Sequence, residues 1–197
     1  MTQTTTADTG QTGARQTAPG QPRHPSVMRL LHWVTALLVL GAIATGVVMV
    51  RIESGDLQNT LFNLHRSLGV SALVVIVLRL VLRLRLRDRI PGLPPGMPRM
   101  QQVAARGTHH LLYTLTLIQP LIGWIGSSAF GAPVIFFGLF TLPALWGRSE
   151  TVADVTLSVH VVLAFVMIGL IALHVAAAIH HHVVRRDGLM RRMWPPV

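Results

Sequence analysis

The sequence predicts an all-α membrane protein, a transmembrane four-helix bundle with both termini cytoplasmic. Three observations lead there. Of its 197 residues 51% are hydrophobic and 12% charged, with a mean hydropathy of +0.53, which points to an integral membrane chain. Four apolar runs each approach the roughly 20 residues that a helix needs to cross hydrocarbon. The 17 cationic residues are all Arg, against 7 acids, for a formal charge of +10. These arginines gather at the ends of the apolar runs and form no basic face with interleaved aromatics, so the charge reads as membrane placement, and no nucleic-acid partner is expected. The chain has no cysteine, which excludes disulfides, thiolate metal sites, iron–sulfur clusters and thioether-linked haem.

Residues 1–26 are rich in Thr, Gln, Gly and Pro and lack a sustained apolar run; a disordered polar extension is expected, followed by one membrane domain over 27–197. The first span is expected over about residues 27–50, where Trp33 to Val50 carries no charge. The second covers about 61–82 and runs into Arg83-Leu-Arg-Leu-Arg87, an alternation that alone would suggest a strand but after a span reads as a helix end with snorkelling arginines. Residues 90–99, with four prolines and two glycines, form a turn-rich connector. The third span is expected over about 109–130, with Pro120 and Gly123 inside it. Residues 133–146 are apolar but too short to cross and are broken by Gly138 and Pro143, so an interfacial or re-entrant lid is expected there. The fourth span covers about 158–182.

Charge bias orients the bundle. Arginines are concentrated before the first span, between the second and third, and after the fourth, whereas the other two connections carry only Arg51 and Arg148, each accompanied by acids. The positive-inside rule then puts both termini and the middle connection in the cytoplasm.

This direction sorts four histidines by depth. His160 and His174 are 14 residues apart on the fourth span, so on a helix they share a face and differ by about 21 Å in height. His174 falls level with His32, at the inner end of the first span, and His160 with His65, at the outer end of the second. A single histidine on an apolar helix is usually a packed residue hydrogen-bonded to a carbonyl; four that sort into two levels are harder to explain by packing. The spans offer neither Cys nor carboxylate, and a zinc-like ion usually wants three or four protein ligands. Haem iron needs two axial ligands, and its flat macrocycle fits an apolar slot between helices. A haem b at each level is the economical answer, with all four histidines as iron ligands. Gly69, one turn after His65, and Gly46, on the His32 face at the outer level, could each make room for a porphyrin edge or serve a helix contact.

Leu31-His-Trp33, Leu64-His-Arg-Ser-Leu-Gly69, Pro120-Leu-Ile-Gly-Trp124, Phe136-Phe-Gly-Leu139, and His174-Val-Ala-Ala-Ala-Ile-His-His-His182 followed by Arg185-Arg-Asp-Gly188 together resemble the bacterial cytochrome b561 family over about residues 25–195. The resemblance implies a four-helix diheme cytochrome of the bacterial inner membrane. Its haem-ligand pattern falls on His32, His65, His160 and His174, and it implies electron exchange with ubiquinone. One branch of that family oxidises superoxide at the outer face and passes electrons to quinone; related subunits carry electrons between quinol and a partner dehydrogenase. A haem-free, His-rich metal transporter is the remaining alternative, and no protein partner can be named. Arg66, His109, His110 and His181 are candidate contacts to a haem propionate, an anion or a quinone, with interfacial anchoring in lipid as the plainer role. His24, in the polar tail, is assigned none. No Ser-His-Asp set, paired carboxylates or phosphate loop falls at a suitable place, so hydrolytic and nucleotide chemistry have no residues to carry them.

Overall fold

The computed structural model of the chain describes residues 22–93 and 96–195. The expectation for residues 1–26 falls almost wholly outside them. Within the described residues four long helices carry the fold: α1 (Ser26–Met49), α2 (Asp56–Arg85), α3 (Arg99–Phe130) and α4 (Glu150–His180). α4 continues into a single π-helical stretch, His181–Arg185, which ends at Arg186 in the left-handed region. Three helical segments are long and apolar enough to cross a membrane: α1, α2, and α4 with its extension to Arg185. α3 contains the expected third span, but its apolar character is diluted by a polar first third and by His109, His110 and Gln119.

The helices overrun the expected spans, for local reasons. α3 begins directly after Pro98, ten residues earlier than expected, because the connector's last proline is also its stop signal. α4 begins at Glu150, eight residues early. Ser149 accepts a hydrogen bond from the Val152 N–H, and Glu150 adds an acid to the first turn. The polar piece around Asp154, expected in the connection, is therefore the first turns of α4. The Arg-Leu-Arg-Leu-Arg stretch forms no strand: α2 runs to Arg85 and a 3₁₀ turn, Arg87–Arg89, follows.

Between α3 and α4 the apolar piece expected as a lid is a small antiparallel hairpin, β1 (Ile135–Phe136) with β2 (Phe140–Thr141). Gly131 ends α3 in the left-handed conformation, φ 86°. The hairpin is fastened to α2 by Ser67, a buried residue whose hydroxyl donates to the Ile135 carbonyl and accepts from the Phe137 N–H. Phe137, Leu139 and Phe140 remain exposed.

α1 packs on α2, α2 on α3, and α3 on α4. At mid-height the four helices meet in a layer built from one buried residue each, Val39, Ala72, Leu115 and Met167. Around the outside, large apolar side chains such as Leu37, Val74 and Phe165 are more than half exposed, as lipid-facing surface requires. At one end the chain ties itself together. The His24 N–H donates to the Arg192 carbonyl, the Arg29 guanidinium to the Trp194 carbonyl, and the Trp33 indole to the Met193 carbonyl. The buried Arg192 guanidinium donates to the carbonyls of Pro22 and Gly92. Both ends of the described chain and the α2–α3 connection therefore meet at the same end of the bundle, the arrangement the charge pattern requires.

Two predictions follow from this packing. The α3–α4 crossing depends on Gly126, where an added Cβ would lie 2.7 Å from Leu157 Cδ2 and 2.9 Å from Thr156 Oγ1. Gly126→Val should cost about 1–3 kcal/mol through overpacking, read as a lower thermal midpoint in detergent; Gly169→Ala, which meets nothing within 4 Å, should not lower it. His24 is held neutral in the terminal cluster: burial, then the charges of Arg192 and Arg83, push its pKa down to about 4. Its folded pKa lies below its unfolded value of about 6.5, so the unfolded state binds the proton more readily and stability falls as pH drops from about 6.5 toward 4. Thermal midpoints measured across that window should fall for the native chain and fall less for His24→Gln.

Candidate functional site: two facing histidine pairs

The histidines meet as the depth argument pairs them. His32 on α1 faces His174 on α4, ring centroids 6.3 Å apart with planes at 78°. His65 on α2 faces His160 on α4 at 6.0 Å and 82°. Because α4 is continuous through both positions, the two levels are separated by about 21 Å of helix rise.

His65 and His160, the pair expected at the outer level, are held from behind. His65 Nδ1 lies 2.8 Å from the Ala42 carbonyl of α1, and His160 Nδ1 lies 3.1 Å from the Gln119 carbonyl of α3. A carbonyl only accepts, so each Nδ1 carries the proton and each Nε2 is left with its lone pair. Each ring also lies over a glycine one turn beyond the accepting residue. A Cβ on Gly46 would stand 3.0 Å from the His65 ring, and one on Gly123 would stand 3.1 Å from the His160 ring. On both sides the pattern is the same: a carbonyl, then a glycine four residues on, with the neighbouring helix's imidazole laid across them. Gln119, buried, completes one side by donating its amide to the His160 carbonyl, 3.1 Å.

Two facing imidazoles with outward-fixed Nδ1 atoms suit an ion held from opposite sides: two metal–nitrogen bonds of roughly 2 Å each and the two half-rings together span roughly the centroid distances seen. The inner pair has the same spacing, with Trp33 edge-on to His32 at 5.8 Å and His109 edge-on to His174 at 5.3 Å. Among the described residues no group of three or more His, Cys, Asp or Glu is placed to hold a metal ion by itself.

The other candidates scatter. Arg66, beside His65, donates to Ser127 Oγ and Asn63 Oδ1, both 3.3 Å, and lies over the Phe62 ring. His109 and His110 direct Nδ1 to the carbonyls of Ala105 and Arg106, one turn back on their own helix. With Leu80, Arg83, Leu84, Tyr113, Thr114 and Leu117 they line a cleft of about 320 Å³ between α2 and α3. His181 pairs with Asp187 and does not approach either facing pair. Partial burial opposes it, but the hydrogen bonds from His181 and from the Leu189 N–H, with Arg185 nearby, hold the Asp187 carboxyl below the usual carboxylate range.

Three residues have roles that the sequence reading did not assign them. Gly123 was noted only as lying with Pro120 inside the third span, but its bare Cα is what admits His160. Gln119 drew no notice because one amide in an apolar run has no motif. Gly46 was left open between a porphyrin edge and a helix contact; it lies against the His65 ring, since α1 and α2 pack directly and the helix surface there faces α2. Gly69 faces α3, where an added Cβ would meet Pro120 at 3.9 Å, in keeping with the helix contact named for it in the sequence.

A family model described as prokaryotic cytochrome b561 matches residues 23–196. Cytochrome b561 homolog 2 of Escherichia coli strain K12 is 30% identical over 172 residues, 87% of this chain and 90% of that protein. The Yersinia pestis protein named probable superoxide oxidase CybB is 31% identical over 166 residues, 84% of this chain and 92% of its own length. Cytochrome b561 homolog 1 of the same E. coli strain is 30% identical over 166 residues.

The hydrogen bonds at Nδ1 predict a single tautomer at the outer level. In protein labelled with ¹⁵N-histidine, His65 and His160 should show protonated Nδ1, and Gly123→Ala should perturb the His160 signal while leaving that of His65 in place. A mixture of tautomers at both positions would contradict the geometry.

Proposed function

The chain belongs to the prokaryotic cytochrome b561 family, and on that premise we propose that it is a diheme b-type cytochrome of the bacterial inner membrane that oxidises superoxide at the outer face and delivers the electrons to ubiquinone. The observation that carries this reading is the pair of facing histidine couples at two depths on one continuous helix. His32 and His174 would hold the inner haem b, and His65 and His160 the outer one, the termini facing the cytoplasm as the arginine distribution requires. Haem b, when bound, supplies reversible one-electron chemistry.

The chain's own residues supply position and selectivity. An imidazole from each side would hold the haem, and an outer reductant would then react there by giving up an electron without binding the iron. The Ala42 and Gln119 carbonyls make the outer imidazoles better donors by hydrogen-bonding the opposite ring nitrogen. Arg66, next to His65, places a cation where an anionic reductant would arrive. Two superoxide ions each release one electron as they become dioxygen; one quinone accepts both with two protons and becomes quinol. The similarity to a protein named as a probable superoxide oxidase favours this outer substrate over a relay between quinol and a partner dehydrogenase.

Purified full-length protein should show two low-spin b-type components on reduction, and His160→Ala should lose the outer component and keep the inner. Superoxide consumption should depend on added quinone and fall at least tenfold in His160→Ala. Two haems without that consumption would favour the relay; no b-type spectrum would sink the reading entirely.

A further inference from the structure

Among the described residues one buried arginine makes no hydrogen bond. Arg79 of α2 is 7% exposed, makes no hydrogen bond among the described residues, and leaves its Nε buried without a partner. Its guanidinium lies over the Tyr113 ring of α3, 5.0 Å from the centroid. Arg83, one turn further along α2, lies over the same ring at 5.7 Å. Two like charges on one helix turn repel, and a ring quadrupole is a weak substitute for a counter-ion. Among the described residues no carboxylate lies within salt-bridge distance of either. The other buried arginines differ: Arg29, whose Nε is also unpartnered, donates its terminal N–H groups to the Trp194 carbonyl and the Ser26 hydroxyl, and Arg192 donates to the carbonyls of Pro22 and Gly92. A buried guanidinium without partners is costly to keep, so this arrangement asks for an anion.

The anion's source follows from where Arg79 stands. It stands 14 residues after His65 on α2, on the same face and about 21 Å further along, which puts it level with His32 and His174, and Ile76 one turn before it is also fully buried. Arg83, in contrast, is exposed and lines the α2–α3 cleft that opens outward. A phosphate of a lipid headgroup can reach Arg83 from outside the bundle. The interior position of Arg79 favours an anion carried by whatever occupies the space between His32 and His174. Haem b bears two propionate carboxylates on one edge, and a guanidinium fork matches a carboxylate in charge and shape.

We propose that Arg79 is the positioning residue of the inner haem, pairing with one propionate carboxylate and so setting that haem's rotation about the His32–His174 axis. This rests on the diheme reading above. The charge has an electrical consequence: a cation beside the site favours the reduced state. Removing it makes the inner haem harder to reduce while the outer one, on the far side of the mid-height layer, is unaffected.

The test uses the full chain in membranes, titrated by potentiometry with optical detection. Arg79→Gln should shift the inner reduction equilibrium about tenfold toward the oxidised form, which is 59 mV for a one-electron couple, and leave the outer component in place. Arg79→Lys should restore most of the shift but less of the rotational order, read as a broader inner spectral band. Refilling haem-depleted protein with haem or with its dimethyl ester identifies the carboxylate: native protein should prefer haem at the inner site at least tenfold, and Arg79→Gln should lose that preference. An unchanged inner potential in Arg79→Gln, an equal preference for haem in both proteins, or a shift that follows the anionic lipid content and ignores esterification would each overturn the assignment. If Arg79→Gln does not accumulate, Arg79→Lys alone decides by whether its preference for haem over the ester falls below that of the native protein. Failure of the diheme reading looks different: the native protein itself would lack two b-type components.

Discussion

Everything in this bundle depends on how a polar ring is accommodated in an apolar slab. An imidazole buried without partners is unfavourable, because hydrocarbon and helix backbone offer it nothing to bond. At the outer level the chain solves this twice in the same way. A glycine exposes the carbonyl one turn before it, and the imidazole of the adjoining helix lies on the glycine and donates to that carbonyl. Ala42 with Gly46 receives His65, and Gln119 with Gly123 receives His160. The two contacts join α1 to α2 and α3 to α4, and the facing of the two rings then joins the pairs across the bundle. Helix packing and site geometry are therefore one set of interactions: moving either helix pair apart moves a ring.

The constraint also explains which residues are small. Gly46, Gly123 and Gly126 all sit at close approaches, the first two under rings and the third where α3 crosses α4. Gly169, on the outward surface of α4, meets nothing. Small residues serve membrane bundles by letting backbones approach; here two of them let a side chain approach a backbone, and that use is tied to the site.

How much of this could be read from residues alone differs by level of structure. The four long helices and the histidine pairing were legible because helix rise and charge bias are one-dimensional quantities, and histidines at matched depths on neighbouring helices have few other places to go. Helix ends were not, since α3 and α4 start where Pro98 and Ser149 allow, and those are local signals that a hydropathy pattern overrides. The supporting shell was least legible. Gln119 and Gly123 acquire their roles only when α4 is laid against α3, and nothing in their own neighbourhood announces it. His181 was a candidate contact to a bound group or an interfacial anchor; Asp187, six residues on, folds back through the left-handed turn at Arg186 to pair with it. A carboxylate that close in sequence is the signal that could have shown it.

The layer of Val39, Ala72, Leu115 and Met167 separates the two histidine levels with side chains that contain no hydrogen-bonding group. A proton crosses a protein along a chain of waters or exchangeable groups, and these four side chains supply no such group. An electron needs only a short gap through packed atoms. On the diheme reading proposed above, the layer would act as an electrical filter, passing electrons between the two levels while offering protons no path of its own.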